Sequence, residues 1–144
     1  MNKEIKFRGY LKDGFFKGHE EHPSYEPLLD NRIVKIHSIH FNSKKVIISC
    51  PTGGNMSVEF KDIELMQYTG LKDKNGVEIY EGDIVKNLIN TFSIIYKKGC
   101  FFAVGINKSQ VYTLFEEFEM CNKASVNLKV IGNIYEGSDD LLIK

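Results

Sequence analysis

Hydrophobic and polar positions alternate with a period of two over much of this chain, which is the pattern of half-buried strands. Ile5 and Phe7 alternate with Glu4, Lys6 and Arg8. Asp13-Gly14 lies between the apolar pairs Tyr10-Leu11 and Phe15-Phe16. An Asp-Gly pair in that setting predicts a tight hairpin, because its two central residues need positive φ. The stretch His19 to Asp30, with Pro23 and Pro27, predicts a surface loop. Arg32 to Phe41 and Lys45 to Ser49 are rich in Ile and Val and predict a strand pair joined by the turn residues Asn42-Ser43. Pro51 to Asn55 breaks the pattern, Ser57 to Phe60 resumes it, and Asp62 to Met66 predicts a connector with one helical turn.

The second half carries the sharper turn signals. Asn75-Gly76 lies between Tyr68–Lys74 and Val77–Tyr80 and predicts a second tight hairpin or loop. Phe92 to Tyr96 and Phe101 to Ile106 predict an antiparallel pair connected through Lys97-Lys98-Gly99-Cys100. Leu114, Phe115, Phe118 and Cys121 share one helical face and predict a short helix. Leu128 to Tyr135 is a final strand, and Asp139 to Ile143 predicts a terminal helical turn. The expected fold is mainly β with one or two short helices. A boundary near residue 65 divides it into an N-terminal β-hairpin region, 1–65, and a C-terminal region, 66–144.

Composition narrows the class. The chain has 144 residues, 42% hydrophobic and 26% charged, as ordinary globular domains do. Lysine plus arginine number 19, matched by 19 acidic residues. That balance gives no strong field toward nucleic acid or an anionic membrane. The N-terminus alternates charged and apolar residues, unlike a signal peptide, and no apolar run has the roughly 18 residues of a membrane span. Cys50, Cys100 and Cys121 are odd in number and widely spaced. They read as buried or half-buried free thiols of a cytoplasmic protein rather than as a disulfide framework or a zinc knuckle.

One long segment points to a family. Gln67-Tyr68-Thr69-Gly70-Leu71-Lys72-Asp73-Lys74-Asn75-Gly76 runs into Val77-Glu78-Ile79-Tyr80-Glu81-Gly82-Asp83-Ile84-Val85. This resembles the signature of the YopX family of phage and prophage proteins. Ile5 to Gly9 resembles the start of that family and Val130 to Glu136 its end. The resemblance implies a β-rich fold with a small barrel in the C-terminal half, by analogy SH3-like. It implies no particular activity and no cofactor. Physically, the segment reads first as architecture. Gly70, Gly76 and Gly82 free the backbone at turns. Asp73 suits turn amides, and Leu71, Val77, Ile79, Ile84 and Val85 suit a core. Its second reading is a partner surface built from Tyr68, Tyr80, Glu81 and Asp83.

Chemical motifs are scarce. His19/His22 and His37/His40 are His-x-x-His pairs, but the second lies in a strand, where an odd separation sends the two rings to opposite faces. The first, beside Glu20 and Glu21, reads as an adventitious metal binder at most. Counted from Asp73, a calcium loop would need Gly at Glu78 and Glu at Ile84, so that match fails. The sequence holds no phosphate loop and no nucleophile elbow. Glu116, Glu117 and Glu119 read as the solvated face of the short helix. No catalytic, metal-binding or cofactor-binding residue is therefore expected.

Lys44-Lys45 and Lys97-Lys98 fall at hairpin tips near Phe92, Tyr96, Phe101 and Phe102, as on single-strand-binding surfaces. The leading expectation is a non-enzymatic, self-associating interaction module with a host or phage protein partner. A nucleic-acid-binding accessory protein is the alternative, and an enzyme of unknown class the third. Self-association would use Ile33–Ile36 and Val46–Ile48 as unprotected sheet edges.

Overall fold

A computed structural model describes residues 4–17, 23, 25–106, 111–113 and 128–136. The predicted helix at Leu114–Cys121, the terminal turn at Asp139–Ile143, and His19 and His22 lie outside the described residues. The chain divides into two compact units, Lys6–Gln67 and Tyr68–Lys144 with Met1–Ile5. It is mainly β, and among the described residues every strand pair is antiparallel.

In the first unit, β1 (Phe7–Leu11) lies between β2 (Ile33–His40) and β5 (Ile63–Lys72), and β3 (Lys45–Ser49) and β4 (Asn55–Glu59) continue outward from β2. Gly9 faces Val34 on one side and Leu65 on the other. Leu11, Val34, Val46, Ile48, Val58 and Ile63 form the core. Their spacing follows the period-two pattern that predicted the strands.

Three sequence expectations need correction in this unit. Asp13-Gly14 is no hairpin. Asp13–Phe16 forms one helical turn, α1, and Gly14 has no positive φ. The partners of β1 lie far along the chain, so the local turn is free to fold inward. It does so by burying Phe16, whose ring meets Phe15 edge-on at 5.1 Å. The loop before residue 30 ends in a second short helix, α2 (Glu26–Asp30), which has Pro27 in its first turn and buries Leu28. Proline suits that position because its missing N–H would be unpaired there anyway. The connector at Asp62–Met66 is mostly strand. A 3₁₀ turn occupies Phe60–Asp62, and from Ile63 the chain is β5, held by pairing from Leu11↔Ile63 to Phe7↔Gln67.

The edge assignment is also overturned. β2 and β3 are interior strands, and β4 holds the outer position. Val46–Ile48 is paired on both sides, while Ile33–Lys35 pairs with β1 and Ile36 with β3, so neither segment is the free outer edge of the sheet, which is what can recruit another strand.

β5 runs on past Gln67 into the second unit, where Tyr68 pairs with Tyr80 and Lys72 with Glu78 of β6 (Glu78–Tyr80). There β7 (Asp83–Lys86), β8 (Thr91–Lys97), β9 (Cys100–Gly105) and β10 (Val111–Thr113) form a meander, and β11 (Lys129–Asn133) adds beside β7. Ile79, Val85, Phe92, Ile94, Ala103 and Leu128 make its core. The predicted β8–β9 pair is found with Tyr96 opposite Phe101. Lys97 pairs with Cys100 across a two-residue turn in which Lys98 and Gly99 have φ of 52° and 80°. Two consecutive positive φ values match the twist of a hairpin. Cys100 is exposed, contrary to the expectation of a shielded thiol, because it flanks this tip. Among the described residues no helix is long and apolar enough to cross a membrane.

Candidate functional site

The signature segment folds around two buried carboxylates. Asp73 sits in the loop joining β5 to β6. Its Oδ1 accepts the N–H of Asn75 at 2.8 Å and of Val77 at 2.9 Å. Its Oδ2 accepts the N–H of Val130, from β11, at 3.0 Å. Gly76 closes the loop at φ 79°, donating its N–H to the carbonyl of Asp73. The connection is thus a five-residue loop, Asp73–Val77, with Gly76 its one residue at positive φ. Burial would raise the Asp73 pKa, but the three N–H donors and nearby Lys129 together outweigh it, and the carboxyl titrates below its ordinary value.

Asp83 is 1% exposed and accepts the Tyr80 N–H at 2.8 Å. This closes the Tyr80–Asp83 turn around Gly82, whose φ is 85°. The Gly82 N–H donates to the carbonyl of Ile94 at 2.8 Å, and its own carbonyl accepts from Ile134 at 2.8 Å.

The four residues of the expected partner surface are brought together only in part. Tyr68 and Tyr80 stack at a tilt, 5.4 Å between centroids, and are 7% and 6% exposed. The Tyr80 hydroxyl donates to Glu78 at 2.7 Å. Glu81 is half-buried and Asp83 is buried. Little of Tyr68, Tyr80 or Asp83 faces outward, so their visible chemistry is internal: they lock a hairpin and a turn. His40 bonds Ser38 at 2.9 Å, and His37 is the extra residue of a bulge between Ile36 and Ser38. No group of three metal-ligating side chains occurs among the described residues.

A feature that the sequence reading passed over lies at Asn87–Asn90, between β7 and β8. Asn87 is buried, and its Oδ1 accepts the N–H of Ile89 at 2.8 Å and of Asn90 at 2.6 Å. The Asn87 N–H donates to the carbonyl of Asn90 at 2.9 Å. This fixed turn holds Leu88 and Ile89 outward, 78% and 84% exposed. The signal was present as two apolar residues between two asparagines. The basic tips are where they were expected. Lys44 stands at φ 52° in the β2–β3 turn. Beside Lys97, Tyr96 packs on Phe101 at 4.9 Å.

The model of the family described as YopX protein matches residues 27–142. The chain belongs to the YopX family. The match takes in the signature segment and the closing Val130–Glu136, while Ile5–Gly9 precedes it. It also covers residues 27–66, which hold none of the segments that carried the resemblance in the sequence. This YopX member is similar in structure to protein EF1440 from Enterococcus faecalis, with 24% identity and a TM-score of 0.56 over 97% of this chain and 99% of that one. That likeness extends the fold over nearly the whole length of both chains. No curated protein matches this YopX chain.

Proposed function

We propose that this YopX protein is a non-enzymatic, self-associating protein-interaction module that works in the host cytoplasm in phage–host biology. The observation that supports it most is the Asn87–Asn90 turn. Water gains when apolar side chains leave it, by roughly 1.5–3 kcal/mol for each of Leu88 and Ile89 once fully buried. A turn already fixed by Asn87 loses little further entropy on binding, so more of that gain reaches the interface. The balanced net charge sets little repulsion between copies. Family membership supports the phage setting. The lack of a nucleophile elbow or phosphate loop in the sequence supports a binding role over catalysis.

Light scattering of nuclease-treated protein at micromolar concentration tests this reading. The expected mass is a multiple of 16.5 kDa, falling to 16.5 kDa in the Leu88→Asp, Ile89→Asp double variant. A wild-type mass of 16.5 kDa throughout would end the self-association proposal. An oligomer untouched by the double substitution would remove the turn from it.

A further inference from the structure

Directly opposed residues in an antiparallel sheet share a face, and so do alternate residues along a strand. In the second unit, Val85, Phe92, Ile94 and Ala103 lie on the face that forms the core. The other face can be followed by register. Lys129 opposes Lys86, which opposes Thr91. From Thr91, steps of two along β8 reach Ser93, Ile95 and Lys97. Phe102 opposes Ile95, Val104 opposes Ser93, and Val111 opposes Val104.

Ile84 also opposes Ser93 on this face and is fully buried, so the open apolar part lies over β8, β9 and β10, with basic ends beyond it. An open groove of 390 Å³ over it is lined by Ile95, Lys97, Lys98, Phe102, Val104 and Val111. Lys86, Lys97, Lys98 and Lys129 are exposed, and of these Lys129 lies near the Asp73 carboxylate. Lys86, Lys97 and Lys98 form no ion pair with a described residue. The neutral net charge of the chain therefore conceals a local segregation of charge. Lys97 lies six residues along β8 from Thr91, the partner of Lys86, which separates the two basic ends by about 20 Å.

The occupant has to bring negative charge to both ends and apolar surface to the middle. A second copy of the same face would set lysines against lysines in either orientation, because both ends are basic. Single-stranded nucleic acid fits all three regions. Its phosphates suit the lysines, and an unpaired base suits the Phe102 ring, since stacking on an aromatic side chain needs no particular base. A span of about 20 Å matches about four nucleotides, the low end of site sizes in single-strand-binding folds. We propose that the outer face of β7–β10, with Lys86 and Lys129 at one end and Lys97 and Lys98 at the other, binds single-stranded nucleic acid.

Fluorescence anisotropy of the full-length protein with a labelled oligo-dT of about 20 nucleotides, and with its oligo-U counterpart, tests this over a salt series. Four phosphate contacts predict a slope of log affinity against log salt of about −2.8. Replacing either lysine pair by glutamine is expected to halve that slope. Phe102→Leu keeps an apolar side chain and is expected to weaken binding about tenfold through lost stacking. Preference for one oligonucleotide assigns the site to DNA or to RNA, and either supports it. Three results would overturn the proposal: no anisotropy change with either probe at about 50 mM salt, an unchanged slope in lysine variants that melt like the wild type, or equally tight binding of poly-glutamate.

Discussion

The Asp73 carboxylate accepts the backbone N–H of Val130 at 3.0 Å, across 57 residues of sequence. One short acidic side chain thus holds its own loop and ties β11 to it. Lys74 repeats the link, donating its N–H to the carbonyl of Leu128 at 3.0 Å. The loop and the last described strand are consequently one structural unit.

Asp73→Asn is expected to destabilise the protein by about 1–3 kcal/mol, since one carboxylate oxygen becomes a second donor facing backbone N–H groups. The pH dependence follows from the lowered pKa of Asp73. Its ionised form contributes stability that is fully present above the ordinary value of 3.8 and is lost as pH falls through the lower folded value. Thermal melts between neutral pH and about pH 3 should show a steeper acid loss in the wild type than in Asp73→Asn. Parallel curves would show that Asp73 does not carry this dependence.

Gly76 has φ 79° and open space where a side chain would stand. Its substitution therefore costs backbone strain alone. Gly76→Val is expected to lower stability by about 1–3 kcal/mol, and Gly76→Asn by less, because asparagine tolerates the left-handed region. Denaturant unfolding of both variants would reveal the order.

Gly9 is a glycine of the opposite kind. Its φ is ordinary for a strand, but an added Cβ would lie 2.9 Å from Ile63 Cγ1 and in contact with Cδ1. Gly9→Ala is expected to cost about 1–3 kcal/mol by overpacking. Adding Ile63→Val removes the terminal methyl and should recover part of that loss. Additive effects in a double-mutant cycle would contradict direct contact.

Lys98 occupies a left-handed position at the β8–β9 tip, with φ 52°. A non-glycine residue there carries a penalty of about 1 kcal/mol. Lys98→Asn should raise the melting temperature, and Lys98→Gly should do so as well. If neither change is stabilising, the turn is not under strain.

The sequence by itself determined the strands and their turns where the information is local. Period-two alternation marked the first strand, richness in Ile and Val placed β2 and β3, and the apolar stretches Phe92–Tyr96 and Phe101–Ile106 placed β8 and β9. Asn75-Gly76 marked a connection that requires positive φ, and Lys97-Lys98-Gly99-Cys100 was legible as the link between two strands. The long signature segment identified the family without any coordinates. Local pattern failed where a distant partner decides. Asp13-Gly14 looks like a hairpin, yet β1 pairs with β2 and β5, which leaves the turn free to become helix and bury Phe16. Asp62–Met66 looks like a connector because its apolar residues do not alternate cleanly, and pairing with β1 makes most of it strand. Ile33–Ile36 and Val46–Ile48 have edge-like composition, but strand order is a property of the assembled sheet. The candidate surfaces divide in the same way. The basic tips were legible as residues. The outward presentation of Leu88 and Ile89, and the gathering of Lys86 and Lys129 on the same face as Lys97 and Phe102, depend on register between segments far apart in sequence, which only tertiary structure sets.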